Sequence, residues 1–312
     1  MGYHLVFMGS PDFAVPILEA LSANYTIEGV VTQPDRPSGR GRLLQSPPAK
    51  RLAGRLNLPV IQPKSLKEEW VHDQLTAWAP DLIVVAAFGQ ILRDNILNLP
   101  PYKCLNVHAS LLPRWRGAAP IPAAILAGDK HTGATIMVMD PGVDTGPILS
   151  QSTIAITPED TSKTLQPKIS RLGAELLLET LPGYLNQSIT PIDQDDSQAT
   201  YAPMLKKQDG ELDFTRPAIA LERKIRAYTP WPGTFMSWKD STLKVHRASV
   251  NLNAFEGIKS LESGTKIVIN KTPAVITSRG ILILDAVQPA GKKIMPGRAF
   301  LQGVKDWGIK VY

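Results

Sequence analysis

The sequence predicts an α/β fold in which a doubly wound, mostly parallel Rossmann-like sheet is followed by a small OB-like β-barrel. Three observations lead there. Short apolar runs alternate with helical stretches over the first part of the chain, as in a parallel sheet with crossover helices. The composition turns polar from Pro182 to Leu205, through Asn186-Gln187-Ser188 and Asp193 to Gln198, as a linker does. Short strand candidates then crowd the remaining hundred or so residues, a spacing that suits a small barrel. The expected organisation is a catalytic domain over 1–189, a linker over 190–205 and a second domain over 206–312.

Each element has its own warrant. Tyr3 to Met8 reads as a buried strand, and Ser10-Pro11-Asp12 reads as a helix start, a cap residue followed by a proline. Ile17, Leu18 and Leu21 give that helix an apolar face. Ile27 to Thr32, Leu82 to Ala87, Cys104 to Val107 and Thr135 to Met139 are further strands. Thr161 to Leu181 is a long amphipathic helix, with Leu165, Ile169, Leu172, Leu176 and Leu177 at helical spacing. In the last third a helix over Ile219 to Tyr228 precedes strands near Thr234 to Trp238, Leu243 to Ala248, Lys266 to Asn270, Ala274 to Thr277 and Ile281 to Val287. The turn after the first strand reads GSPDF, not G-x-G-x-x-G, which argues against a nicotinamide or flavin enzyme.

Composition narrows the classes further. Hydrophobic residues at 43% and charged residues at 20% support a packed core over disorder. A single cysteine, Cys104, excludes an internal disulfide and fits a reducing compartment. His4, His72, His108, His131 and His246 are scattered without zinc-ligand spacing, so no metal site is expected. No run of eighteen apolar residues offers a membrane span, and the opening MGYHLVFMGSPDF lacks the charged head and apolar run expected of a signal peptide. Residues 1–205 hold 16 Lys and Arg against 19 Asp and Glu; residues 206–312 hold 18 against 9. The whole basic excess therefore lies in the last third, which suits either a polyanionic partner or a solvated basic surface.

Chemistry concentrates in CLNVHASLLPRWRGAAP, residues 104–120. Asn106 and His108 stand two apart on an otherwise apolar strand, so their side chains share a face. That face is expected near the carboxyl edge of the sheet, where α/β proteins place their sites. Asp140-Pro141-Gly142-Val143-Asp144-Thr145-Gly146 is a tight loop that can hold Asp144 over the same edge. An amide donor, an imidazole and a carboxylate make an acyl-transfer site: Asn106 for a developing oxyanion, His108 for the oxyanion and the leaving nitrogen, Asp144 to orient the imidazole or take the amine proton. Cys104, on a largely apolar strand, reads as an inert buried thiol and not a nucleophile.

The stretch 104–120, the loop 140–146 and the opening GSPDF together resemble the methionyl-tRNA formyltransferases, over essentially the whole chain from residue 3 to about residue 304. The wider superfamily that uses 10-formyl-tetrahydrofolate shares the Asn-x-His strand and the later Asp. The resemblance implies that Asn106, His108 and Asp144 are catalytic. It assigns Ser110, Leu111, Leu112 and Pro113 to the folate, and places the pterin near Phe88, Gly89, Gln90, Ile91, Leu92 and the 140–144 loop, including Asp140. Ala109 stands where the family often has Gly. The implied substrates are 10-formyl-tetrahydrofolate and initiator methionyl-tRNA, with no metal, no membrane and no obligate protein partner, in a cytoplasmic monomer. Formyl transfer is then expected by direct amine attack without a covalent intermediate.

Gln33 to Arg51, QPDRPSGRGRLLQSPPAKR, carries Arg36, Arg40, Arg42, Lys50 and Arg51 against Asp35. Its prolines and glycines predict a mobile loop without a central helix. The segment resembles the family's acceptor-stem-binding insertion, which implies that Arg36, Arg40 and Arg42 contact tRNA, although Leu43 stands where several relatives continue with lysines. Lys206, Lys207, Lys292 and Lys293 are candidates for a tRNA-facing surface on the second domain, with Arg223, Lys224, Arg226 and Arg298 beside them. Arg226 to Gly233, RAYTPWPG, reads as packing. Arg114-Trp115-Arg116 offers two cations and a stacking ring, open to contact with tRNA or folate or to packing of Trp115. The rival readings are an amino-sugar formyltransferase, a non-catalytic RNA-binding protein and a formate-releasing hydrolase. A nucleotide-sugar needs neither the basic loop nor the basic module.

Overall fold

The computed structural model describes residues 2–38, 43–253, 260–304 and 306–310. The chain opens with β1 (His4–Gly9), α1 (Ala14–Asn24), β2 (Thr26–Val31), a small hairpin of β3 (Arg36–Ser38) and β4 (Leu43–Gln45), and α2 (Pro48–Arg55). There follow β5 (Val60–Ile61), α3 (Glu69–Trp78), β6 (Leu82–Ala86), α4 (Asp94–Leu97) and β7 (Cys104–His108). Then come α5 (Pro120–Ala127), β8 (His131–Val138), β9 (Ile148–Ala155) and the long α6 (Ser162–Leu185). The last third contains α7 (Ala218–Ala227), β10 (Thr234–Trp238), β11 (Ser241–Asn251), β12 (Lys266–Ile269), β13 (Thr272–Ile276), β14 (Ile281–Pro289), β15 (Met295–Pro296), α8 (Gly297–Gln302) and β16 (Ile309–Lys310). These elements form two compact units. One holds Met1–Pro120, His131–Ala155 and Leu165–Ala202; the other holds Ile121–Lys130, Ile156–Thr164 and Pro203–Tyr312.

The first unit is built on a seven-stranded sheet in the order β5-β2-β1-β6-β7-β8-β9. The strands from β5 to β7 are parallel, whereas β8 and β9 are antiparallel to their neighbours. The sheet is therefore mostly parallel, as expected, with a mixed end that periodicity alone does not reveal. One face packs Val6, Met8, Ile83, Val85 and Cys104 against Val71 and Leu75 of α3 and Phe88, Leu92 and Ile96 beyond β6. β9 escapes sequence reading because it is a half-exposed edge strand with polar residues along it.

Two local expectations change. Ser10 does not cap α1: the cap position is Phe13, without a side-chain bond. The Ser10 hydroxyl instead accepts the Gln33 N–H (2.9 Å), and Pro11-Asp12 form a turn closed by Ala14 N–H to the Pro11 carbonyl (2.9 Å). Segment 33–51 is also not a loop throughout. β3 and β4 pair antiparallel within it, and Lys50 and Arg51 belong to α2, which Pro48 begins because a helix's first N–H needs no intrahelical partner.

The second unit carries a mostly antiparallel sheet in the order β10-β11-β14-β13-β12-β16, with β15 paired to β14 and β16 parallel to β12. Its core gathers Leu221 and Ile225 of α7, Leu243, Val245, Leu282 and Leu284 of the sheet, and Phe300 and Trp307. The strands predicted between 234 and 287 match β10 to β14 with small shifts at their ends.

Candidate active site

β7 presents Cys104, Asn106 and His108 on one face. Cys104 lies in the apolar core, and Asn106 and His108 continue its alternation. Both are buried, at 9% and 5% exposure. A polar pair this enclosed requires partners. Asn106 Nδ2 donates to Asp144 Oδ1 (3.2 Å), and His108 Nδ1 stands 3.5 Å from Asp144 Oδ2. The Gly117 N–H donates to the same Oδ2 (2.9 Å). His108 Nε2 lies 2.9 Å from the Trp115 carbonyl. A carbonyl only accepts, so Nε2 carries a proton, and Nδ1 is the ring nitrogen that faces the Asp144 carboxylate.

The approach of Asp144 differs from the expected one. β8 runs antiparallel to β7, so the loop after Val138 leaves beside Cys104, at the amino end of β7; the Met139 N–H donates to the Cys104 carbonyl (2.8 Å). Asp144 thus reaches over the strand from its amino end, while Trp115 and Gly117 come from its carboxyl end. The site lies over the strand's face, not beyond its edge. Asp144 holds a left-handed φ of 54°. The loop stays tight because Gly146 lies against the Val138 carbonyl, where a Cβ would collide. Asp140 fastens it by accepting from Gly142 N–H (3.1 Å) and from the Thr145 hydroxyl (2.7 Å). Gly117, at φ 109°, lies where a Cβ would sit 2.7 Å from the Ala202 carbonyl.

The folate candidates divide. Ser110 is fully buried, and its hydroxyl donates to the Arg114 carbonyl (2.6 Å), which commits its one proton to shaping the loop. Leu112 is buried; its N–H donates to Thr135 Oγ1 (3.2 Å) and its carbonyl accepts from Gln151 Nε2 (2.8 Å). Thr135 and Gln151, register partners on β8 and β9, thereby hold Leu111 to Pro113 in place. Sequence reading missed both, since each is one of several polar residues on its strand and nothing in the pattern marks it as the one that meets the loop. In the other segment Phe88 and Leu92 are buried core residues, and Gln90 bonds to Leu66 N–H (3.0 Å) and the Pro63 carbonyl (3.2 Å). Gly89, at φ 81°, faces open space, and Ile91 is 76% exposed beside a shallow cavity lined with Leu66, Arg93 and Ile96. Backbone groups and one aliphatic side chain are what this stretch exposes.

Residues 194–202, read as linker, belong to the first unit and hydrogen-bond to the site segment. Thr200 Oγ1 accepts from Trp115 N–H (2.9 Å), the Thr200 carbonyl accepts from Arg116 N–H (2.9 Å), and Ala202 N–H donates to the Arg116 carbonyl (2.7 Å). Arg116, 1% exposed, bonds to Gln194 Oε1 (3.0 Å) and Asp196 Oδ1 (2.7 Å). It is a packed structural cation, whereas Arg114 is exposed and stacks 4.3 Å from the Trp115 ring centroid.

Among the basic candidates, Arg36 is exposed on β3 and bonds to Gln33 Oε1 (3.0 Å). Arg40 and Arg42 lie outside the described residues. Lys50 is committed to Asp35 (2.9 Å), which also accepts from Gln62 (2.7 Å). Hydrogen bonds from Gln62 and from Lys50 hold the Asp35 carboxyl below its ordinary range. In the second unit Lys206, Lys207, Lys292 and Lys293 are all exposed. Arg226 and Lys224 are engaged locally, with Glu222 (2.6 Å) and the Glu211 carbonyl (2.6 Å). No cluster of His, Cys, Asp and Glu suited to a metal ion occurs, and no helix is long and apolar enough to cross a membrane, among the described residues.

Comparison with known proteins places this geometry in a family. Residues 4–181 match the formyl transferase model, and residues 204–305 match the formyl transferase C-terminal domain. A methionyl-tRNA formyltransferase of Myxococcus xanthus is 46% identical over 301 residues, covering 96% of this chain and 95% of the relative. One of Chloroflexus aurantiacus is 45% identical, covering 98% and 99%. Among solved structures, an N-formyltransferase of Helicobacter canadensis in complex with folinic acid and dTDP-3-aminofucose has a TM-score of 0.65 at 16% identity, covering 93% of this chain and 100% of its own. HypX of Aquifex aeolicus in complex with tetrahydrofolic acid has a TM-score of 0.63 at 12% identity, covering 99% of this chain and 48% of its own. Those two likenesses show the fold. With both of its domains matched and its relatives aligned nearly end to end, the chain belongs to the formyl transferase family, among the methionyl-tRNA formyltransferases.

Proposed function

We propose that this chain transfers the formyl group of 10-formyl-tetrahydrofolate to the free amino group of initiator methionyl-tRNA in the cytoplasm, by direct amine attack. The observation that carries the reading is the convergence of Asn106, His108 and Asp144 on one polar spot of β7, in a chain whose full-length relatives bear that activity in their names. The folate supplies the formyl group. The amine nitrogen bonds to the formyl carbon, the bond from that carbon to the folate nitrogen breaks, and one proton passes from the amine to the departing nitrogen.

The residues suit these demands. Asn106 uses one amide hydrogen on Asp144 and keeps a second for the developing oxyanion. His108 has its Nε2 proton fixed on Trp115, so proton exchange falls to Nδ1, opposite the Asp144 carboxylate. Asp144 orients the imidazole or receives the amine proton. Leu111 to Pro113 and the stretch from Gly89 to Ile91 would hold the folate through backbone and aliphatic surface. Arg36, Arg40 and Arg42 would meet the acceptor end, with Lys206, Lys207, Lys292 and Lys293 on the second unit engaging phosphates. Residues 1–189 would thereby carry the chemistry and the contact with the acceptor end, and 206–312 further contacts with tRNA phosphates.

The test is formylation by the purified chain of initiator methionyl-tRNA against a UDP-amino sugar, with 10-formyl-tetrahydrofolate as donor. Transfer to the tRNA alone is expected. Transfer to the sugar alone would overturn the assignment.

A further inference from the structure

We infer that Gln194 is a positioning residue for the transfer step, setting the Asp144 carboxylate from a segment outside the recognised motifs; the inference rests on Asp144 taking part in formyl transfer. Gln194 Oε1 accepts from Arg116 Nε (3.0 Å), and its Nε2 donates to the backbone carbonyls of Asp144 (2.9 Å) and Gly146 (2.7 Å). A guanidinium only donates and carbonyls only accept, so the carboxamide has one workable orientation. A side chain without both an acceptor and a donor at that reach leaves one side unsatisfied.

These bonds close a ring. Arg116 holds Gln194, Gln194 holds the Asp144 carbonyl, and Gly117, the neighbour of Arg116, holds the Asp144 carboxylate (2.9 Å). The ring is fastened to the sheet because Ile192 and Ile148 exchange backbone hydrogen bonds (2.8 and 2.9 Å). Asp144 needs such support. It sits at φ 54°, a left-handed conformation that disfavours a side chain. Fixing its carbonyl from one side and its carboxylate from the other leaves little freedom in the 3.5 Å approach to His108 Nδ1.

Gln194→Glu keeps the shape and the bond to Arg116 but sets a carboxylate oxygen against two carbonyls; Gln194→Ala vacates the half-buried position. For both, kcat for formyl transfer is expected to fall roughly 10- to 100-fold, as for a small misplacement of a reacting group. KM for each substrate should stay within about threefold. On an Asp144→Asn background, Gln194→Glu should cause no further loss, because the two act through one group. The Gly117 amide proton resonance should move upfield in both Gln194 variants, as in Asp144→Asn. Unchanged kcat with an unmoved Gly117 resonance overturns the inference. Failure of both variants to fold also overturns it, by assigning Gln194 to stability alone. If the wild-type chain transfers nothing to methionyl-tRNA, the functional reading falls, and the Gly117 resonance still decides whether Gln194 places Asp144.

Discussion

His108 shows how much one acceptor can decide. The Trp115 carbonyl accepts a hydrogen bond from Nε2–H, which leaves Nδ1, 3.5 Å from Asp144, as the nitrogen assigned to proton exchange in the proposed reaction. Replacing His108 with Ala or Asp144 with Asn should lower transfer by about 10²- to 10⁴-fold, the span of general acid–base contributions, with circular dichroism showing an intact fold. Full activity in either variant would remove that residue from the chemistry. Cys104, two residues before Asn106, is the contrasting case. Burial pushes its thiol up to about 12, and its Sγ lies 3.6 Å from the Ile96 carbonyl. Iodoacetamide should therefore leave Cys104 unlabelled in the native protein at pH 8 and label it only after denaturation, as mass spectrometry would report. The inert reading of Cys104 was available from the largely apolar strand it opens. The proton placement on His108 was not, because it depends on a carbonyl seven residues away.

At the scale of elements, the base of the basic segment is locked before its arginines are reached. Asp35 accepts from Lys50 of α2 and from Gln62 just past β5. Its carboxyl is held low chiefly by Gln62, then by Lys50, so the folded state favours the ionised form. A depressed carboxyl contributes stability above its unfolded value, and that contribution is lost as pH falls through its folded value. Asp35→Asn should accordingly lower Tm at pH 7, and the gap to wild type should close as melts are taken below pH 3.8, the ordinary carboxyl value. A gap that persisted undiminished in acid would assign the loss to packing. The hairpin of β3 and β4 and the helical placement of Lys50 escaped sequence reading for one reason: three-residue strands and an eight-residue helix flanked by prolines leave too short a pattern to register.

For the whole molecule, charge is divided more sharply than the chemistry. Residues 1–205 carry a net −3 and residues 206–312 a net +9. Lys206, Lys207, Lys292 and Lys293 are exposed, whereas Lys224 and Arg226 are taken up by their own unit. If the four lysines meet phosphates, their joint change to Ala should raise KM for methionyl-tRNA. It should also flatten the dependence of log KM on log salt by roughly 0.7–0.9 for each phosphate no longer neutralised, leaving kcat at saturating tRNA within about twofold. Arg40→Ala with Arg42→Ala should raise KM with a similar flattening. An unaltered salt slope in either set would take those residues out of the tRNA interface.

The fold class was written in the sequence because the alternation of apolar runs with helical stretches and the crowding of short strands in the last third are local patterns, legible one window at a time. So was the pairing of Asn106 with His108, since a strand's two-residue period puts them on one face. The antiparallel end of the sheet, the entry of Asp144 from the amino end of β7, and the return of Gln194 and Thr200 to the segment around Arg116 were decided by tertiary structure alone. Each joins residues separated by tens of positions through hydrogen bonds whose donors and acceptors are common polar groups, and such groups carry no periodicity to mark which of them will meet.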